Sequence, residues 1–265
     1  MNIHLDKDVD IELIGRLHKS TIYSCVIGSG MYGISDERSD VDILHIYKTS
    51  DLELNSVLKS HHQLQYKKGG VDYIFVNIHA FIRNCLSGDS TINFEVINSE
   101  DILASELAFL YEMRKDFFNY KIMRSYLGFG RRDLKQINLA NDERGKNKKI
   151  FHAYRCYKSC LDIYGGDFKS VMDSVESYEM WGEVMKLNNY KEREEYKILI
   201  GKKIDDLRKE INIEYDKGNI TSYMEPSSLL ILDYKISEVM NGSLDKMYFD
   251  NLLLFYKAEE SGIEY

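Results

Sequence analysis

The chain has 265 residues, 44% of them hydrophobic and 29% charged, with a formal net charge of -8. That length supports a sizeable core and one or two domains. Its acidity excludes nucleic-acid binding through bulk charge, so any such contact must be a local basic patch. No apolar run reaches membrane-spanning length, and the charged N-terminus lacks the apolar core of a signal peptide, so no membrane partner is expected. Four cysteines, at 25, 85, 156 and 160, form no CxxC pair and fit a reducing cytoplasm.

Residues 2–20 end in a helical pattern, with Ile11, Leu13, Ile14 and Leu17 on one face. This predicts a helix on the back of a sheet. The stretch from Ile22 to Ile27 then reads as a strand, apolar except at Ser24. Glycines at 28, 30 and 33 predict a sharp turn whose backbone N–H groups can cradle an anion such as a triphosphate. A second strand follows, carrying Asp40 and Asp42. Side chains two apart on a strand share a face, about 6.5 Å apart along it. Two carboxylates so placed repel unless a cation sits between them, and Mg²⁺ suits that role. An anion-cradling turn beside paired carboxylates describes a metal-dependent phosphoryl-transfer site.

Residues 51–62 read as a short helix or an extended connector. Gly69-Gly70 opens a third strand, Val71 to Ile78, rich in β-branched and aromatic residues. Its one acid, Asp72, can face the Asp40 and Asp42 pair if the two strands are neighbours, completing a two-metal site and helping to deprotonate a hydroxyl. Asp51 and Glu53 are weaker substitutes for it. Helices are expected from Ile78 to Leu86 and from Ile92 to Val96, with Ser87-Gly88-Asp89 ending the first. From Ser105 the pattern is helical, including Tyr120 to Leu139.

Between Arg144 and Lys158 stand six Lys or Arg with no acid among them, although the chain as a whole is acidic. Lys148, His152 and Arg155 fall on one helix face. Three such groups can hold a triphosphate or neutralise a leaving pyrophosphate. His152, Cys156 and Cys160 also share this helix, but they span about 12 Å, too far to close on one zinc. The cysteines are therefore expected in the core. Amphipathic helices are expected over 172–185, 191–213, 227–240 and 244–260.

The run Gly28-Ser29, ten residues, then Asp40-x-Asp42, with Gly33 four after the serine, resembles the signature of the DNA polymerase beta nucleotidyltransferase superfamily. The resemblance implies that Gly28 and Ser29 hold the triphosphate. It also implies that Asp40, Asp42 and Asp72 bind two metal ions, Mg²⁺ with Mn²⁺ as an alternative. A narrower likeness is to predicted nucleotidyltransferases associated with RNA-repair ligase and polynucleotide kinase modules. It rests on Asp72, Phe81, the turn Ser87-Gly88-Asp89-Ser90, Glu95, Tyr126-Leu127-Gly128-Phe129-Gly130, and Lys148-x-x-x-His152-x-x-Arg155. The turn lacks the lysine and proline of that pattern. This likeness places Lys148, His152 and Arg155 on the nucleotide.

The expected fold is α+β: a small mixed-sheet nucleotidyltransferase core over 1–104, then an all-helical domain over 105–265. The expected activity is metal-dependent transfer of a nucleoside monophosphate from an NTP to a hydroxyl, by resemblance an RNA 3′ end, with release of pyrophosphate. NTP is the expected small partner, and RNA the expected macromolecular one through a local basic patch. Nucleotidylation of a protein or small molecule stays open, as does a weakly catalytic, antitoxin-like binding module.

Overall fold

The computed structural model describes residues 2–4, 11–35, 37, 39–48, 63–168 and 175–241. Asp51 and Glu53, the connector over 51–62 and the helix expected over 244–260 lie outside these residues.

Five strands form one mixed sheet: β1 (Asn2–His4), β2 (Thr21–Ile27), β3 (Val41–Tyr47), β4 (Gln63–Lys68) and β5 (Val71–Asn77), in the order β1-β4-β5-β3-β2. The central pair, β3 and β5, runs parallel, while β2 and β4 run antiparallel to their neighbours β3 and β5. Sequence reading found β2, β3 and β5 and missed β1 and β4. The missed strands carry the weaker signals, since Gln63-Leu64-Gln65-Tyr66-Lys67-Lys68 is largely polar and β1 is three residues long.

The strand β3 shows why the sheet is covered on both sides. Leu44 and Ile46 on one face and His45 and Tyr47 on the other are all buried. Helix α1 (Ile11–Ser20) covers the back, where Leu17 packs with Tyr47, Leu64 and Phe75 as its amphipathic pattern predicts. His45 sits there between rings, stacked on Phe75 and hydrogen-bonded through Nδ1 to Ser24 Oγ at 2.7 Å. Burial pushes this imidazole down to about 4.

The front face meets the helices. Helix α2 (Ile78–Ser87) is capped by the Asn77 side chain, which accepts from the Ala80 N–H, and ends at Gly88 in the left-handed region. A Cβ at Gly88 would press on the Lys121 backbone, so this turn is a packing device. Ser90 caps α3 (Thr91–Ile97). After a 3₁₀ turn (Glu100–Ala104) come α4 (Ala108–Glu112), α5 (Tyr120–Lys135), a 3₁₀ turn (Ile137–Leu139), α6 (Glu143–Tyr164), α7 (Val175–Val184), α8 (Tyr190–Asp216) and α9 (Pro226–Asn241). Asn119, Asp142 and Asn189 cap α5, α6 and α8 through side-chain oxygens. Among the described residues the chain is therefore a small mixed sheet followed by helices, the α+β arrangement expected.

One buried cluster runs from Ile27, Leu44 and Val76 on the sheet through Phe81, Phe94, Tyr126, Ile150 and Cys156 to Ile204 and Ile236. The long helix α6 is central to it, with Ile150, Ala153, Cys156 and Cys160 on its buried side. Cys85, Cys156 and Cys160 are buried free thiols, in agreement with the core role expected of the cysteines.

Candidate active site

The turn after β2 closes through two backbone bonds, Gly33 N–H to Gly30 O at 3.1 Å and Ile34 N–H to Ser29 O at 3.0 Å. Gly28 and Gly33 both take φ of 64°, which a side chain at either position would strain. Gly28 also needs its missing Cβ, because an atom there would stand 2.8 Å from Asp42 Oδ2. The turn and the acid therefore touch, and the register places Ile27 directly opposite Asp42.

On the other side of β3, Asp42 is paired with Asp72 of β5, and Asp72 in turn with Lys67 of β4. Paired residues on neighbouring strands share a face, so one row holds two carboxylates and an ammonium. Burial first, then the charges of Asp72 and Asp40, push the Asp42 carboxyl above its ordinary value. Asp40 lies just before β3 and is exposed. Lys67 Nζ donates to its Oδ2 at 2.8 Å, and this contact holds the Asp40 carboxyl below the usual range.

The donor set fits a divalent cation in part. Asp42 and Asp72 are adjacent carboxylates with like-charge strain that a cation relieves. Mg²⁺ takes one or two carboxylates and fills its other positions with water and phosphate oxygens. Among the described residues no three His, Cys, Asp or Glu side chains close on one point, and Asp40 is turned to Lys67.

Facing the acids across a cavity of about 530 Å³ is one side of α6. The cavity is lined by the turn (Gly28, Ser29, Tyr32), by Asp40 and Asp42, and by Arg144, Lys148, His152 and Arg155. Asp72 is not among its lining residues. Ile34, Ile92, Phe151 and Trp181 supply an apolar part of the wall, with Trp181 of α7 edge-on to Phe151 at 5.0 Å between ring centres. The spacing of Lys148, His152 and Arg155 thus brings all three to the cavity. Lys148 is near enough for its charge to act on both Asp40 and Asp42.

Arg155 is engaged in a way its spacing does not reveal. It is 3% exposed, and its guanidinium donates to Glu95 Oε1 and lies over the Tyr32 ring at 4.0 Å. Glu95, fully buried on α3, also accepts from Tyr32 Oη and, at 3.3 Å, from Tyr126 Oη of α5. Burial works against the charge on Arg155, but Glu95 and the Tyr32 hydroxyl hold the guanidinium protonated. Sequence reading marked Glu95 only by likeness and missed Tyr32. A tyrosine inside a glycine turn was the available signal.

His152, itself partly exposed, makes the second contact, from Nδ1 to the buried Asp133 Oδ2 of α5. The Cys156 sulfur and this carboxylate push the imidazole up to about 9. Asp133 was not singled out from the sequence. It lies on the preceding helix with no periodic relation to His152, so only packing of α5 on α6 reveals the pair.

A small mixed sheet, a glycine turn packed on a strand acid, and a cationic helix across the cavity define a nucleotidyltransferase of the polymerase beta type. The chain belongs to the RlaP family, the RNA repair pathway DNA polymerase beta family, whose model matches residues 4–219. No curated protein matches the chain. A nucleotidyltransferase-like protein from Exiguobacterium sibiricum 255-15 is 12% identical, with a TM-score of 0.30, over 76% of this chain and 72% of that one. No helix among the described residues is long and apolar enough to cross a membrane.

Proposed function

We propose that this nucleotidyltransferase moves a nucleoside monophosphate from an NTP to an RNA 3′ hydroxyl, with a divalent cation held by Asp42 and Asp72 and, once Lys67 yields, by Asp40. The observation that carries this reading is Asp42, which leaves no room for a side chain at Gly28 of the turn on one side and pairs in register with Asp72 on the other. The cation, Mg²⁺ or Mn²⁺, would supply charge neutralisation for the phosphates and the attacking oxygen.

The chain's own residues do the rest. Backbone N–H groups of the Gly28 and Ser29 turn cradle the terminal phosphates. Lys148, with Arg144 beside it, draws the triphosphate toward α6. Arg155, bound to Glu95 and stacked on Tyr32, holds the turn from beneath and lends its field to the phosphates rather than a free hydrogen-bonding fork. Asp72 accepts the proton of the incoming hydroxyl. The apolar wall of Ile34, Ile92, Phe151 and Trp181 suits a nucleobase. The RNA acceptor is supported by the family's description and by the basic run 144–158 in an acidic chain.

The test supplies each α-phosphate-labelled NTP with Mg²⁺ and an RNA pool. Label is expected on RNA with intact 3′ ends and not on RNA ending in a 3′-deoxyribose. Asp42→Asn should fold and lose at least about a hundredfold in turnover, the scale of removing a main electrostatic contact to the transition state. Label on protein or a small molecule would overturn the RNA acceptor. Near-native turnover in folded Asp42→Asn would overturn the site.

A further inference from the structure

Asp133 has no part in the reading above, yet it is built for one. It is 7% exposed on α5, and both oxygens are committed: Oδ2 to His152 Nδ1, and Oδ1 to Lys149 Nζ at 3.5 Å. Burial alone would raise its carboxyl, but the His152 hydrogen bond and the charges of His152, Lys149 and Arg132 hold it below the usual range. Asp133 is therefore a fixed anion behind a histidine that lines the cavity.

That contact commits one ring nitrogen of a histidine that lines the cavity. With Nδ1 given to Asp133, Nε2 is the remaining donor. The Cys156 sulfur is 4.0 Å from Nδ1 and 3.9 Å from Nε2. A group equidistant from both ring nitrogens lies off the line of either N–H, so it does not take the Nε2 proton in a well-aligned bond. The groups acting on this imidazole are Cys156 and Arg155 from α6 and Asp133 from α5; Lys149 and Arg132 act on Asp133, and Lys148, Asp40 and Asp42 line the same cavity.

We propose that His152, oriented by Asp133, is the general acid that protonates the leaving pyrophosphate. This rests on the nucleotidyl-transfer reading. As the acceptor oxygen forms its bond to the α-phosphorus, the bond from that phosphorus to the bridging oxygen breaks. Its electron pair goes to pyrophosphate, and the Nε2 proton of His152 follows. The hydroxyl's own proton leaves to Asp72 or water, and His152 is reprotonated from solvent after product release. Asp133 touches no reacting atom; it is a positioning residue.

Three measurements on the full chain test this. In the nucleotide-free protein, ¹⁵N NMR of the His152 ring should show a doubly protonated imidazole that titrates near 9. Asp133→Asn should lower that midpoint. In steady-state transfer, the rate should fall as pH rises through the His152 value, and this alkaline limb should move to lower pH in Asp133→Asn. The decisive readout varies the leaving group. His152→Gln should slow transfer from natural NTP by roughly a hundredfold. It should cost more with a β,γ-methylene analogue, whose leaving group is more basic, and less with a β,γ-difluoromethylene one.

An equal loss across the leaving-group series, or an unmoved alkaline limb in Asp133→Asn, would overturn the general acid while nucleotidyl transfer stands. Wild-type protein that releases no pyrophosphate from any NTP would overturn transfer and the acid with it, even with the His152 and Asp133 pair visible by NMR. If Asp133→Asn does not fold, the leaving-group series on His152→Gln decides alone.

Discussion

Two ion pairs flank the same cavity and could hardly differ more. Lys67 and Asp40, on the sheet side, leave 51% and 62% of their side chains exposed at 2.8 Å separation. Arg155 and Glu95, on the helical side, leave 4% and 0%. The first pair sits in water, where solvent screens it and it exchanges partners at little cost. The second has lost its hydration, so each member depends on the other. The difference divides the site by task. The sheet side offers carboxylates that can change partners when a ligand arrives, while the helical side is a fixed cationic frame set before any ligand binds.

The largest blow to this comparison is removal of Glu95. Glu95→Ala strands a buried guanidinium and two buried tyrosine hydroxyls, and should destabilise the fold by about 3–5 kcal/mol in urea unfolding. A loss below about 1 kcal/mol would mean that the helical side is as exchangeable as the sheet side.

Asp42→Asn probes the sheet side with the opposite sign. The Asp42 carboxyl is raised in the folded protein, so its contribution to stability is present at low pH and is lost as pH rises through the folded value. The variant lacks that loss. It should match wild type in acid and exceed it at neutral pH, measured as unfolding free energy against pH. A variant less stable than wild type at neutral pH would show Asp42 to be held by favourable contacts instead.

The smallest effect belongs to Lys67→Met. An exposed pair contributes about 0–1 kcal/mol, so stability should barely move. Release of Asp40 should nonetheless tighten Mn²⁺ binding severalfold, read by electron paramagnetic resonance without nucleotide. Weaker Mn²⁺ binding would show that Lys67 organises the acids rather than competing for them.

The chain's legibility followed the same division. Elements with a strong local signal were readable: the glycine turn, the Asp40-x-Asp42 strand, the β-branched β5 and the helix faces. Asp72 was readable as the one acid of its strand, on the condition that β5 lies beside β3, and the register meets that condition. The partners of Arg155 were not. Glu95 lies sixty residues away on a short helix, and nothing in an i, i+4, i+7 spacing distinguishes a side chain that ends on a phosphate from one that ends on a buried carboxylate. Asp133 and Lys67 were hidden for the same reason, since each matters through a contact between elements. Periodicity reports which face a residue takes, and long-range packing decides whom it meets.

One residue of the apolar wall makes the site observable. Trp181 is the only tryptophan in a chain of twenty tyrosines, and it lines the cavity against Phe151. Light at the red edge of the absorption band excites indole and leaves tyrosine dark, so the emission comes from this one wall. A stacked nucleobase would quench it, and the protein carries its own optical gauge of occupancy without any label.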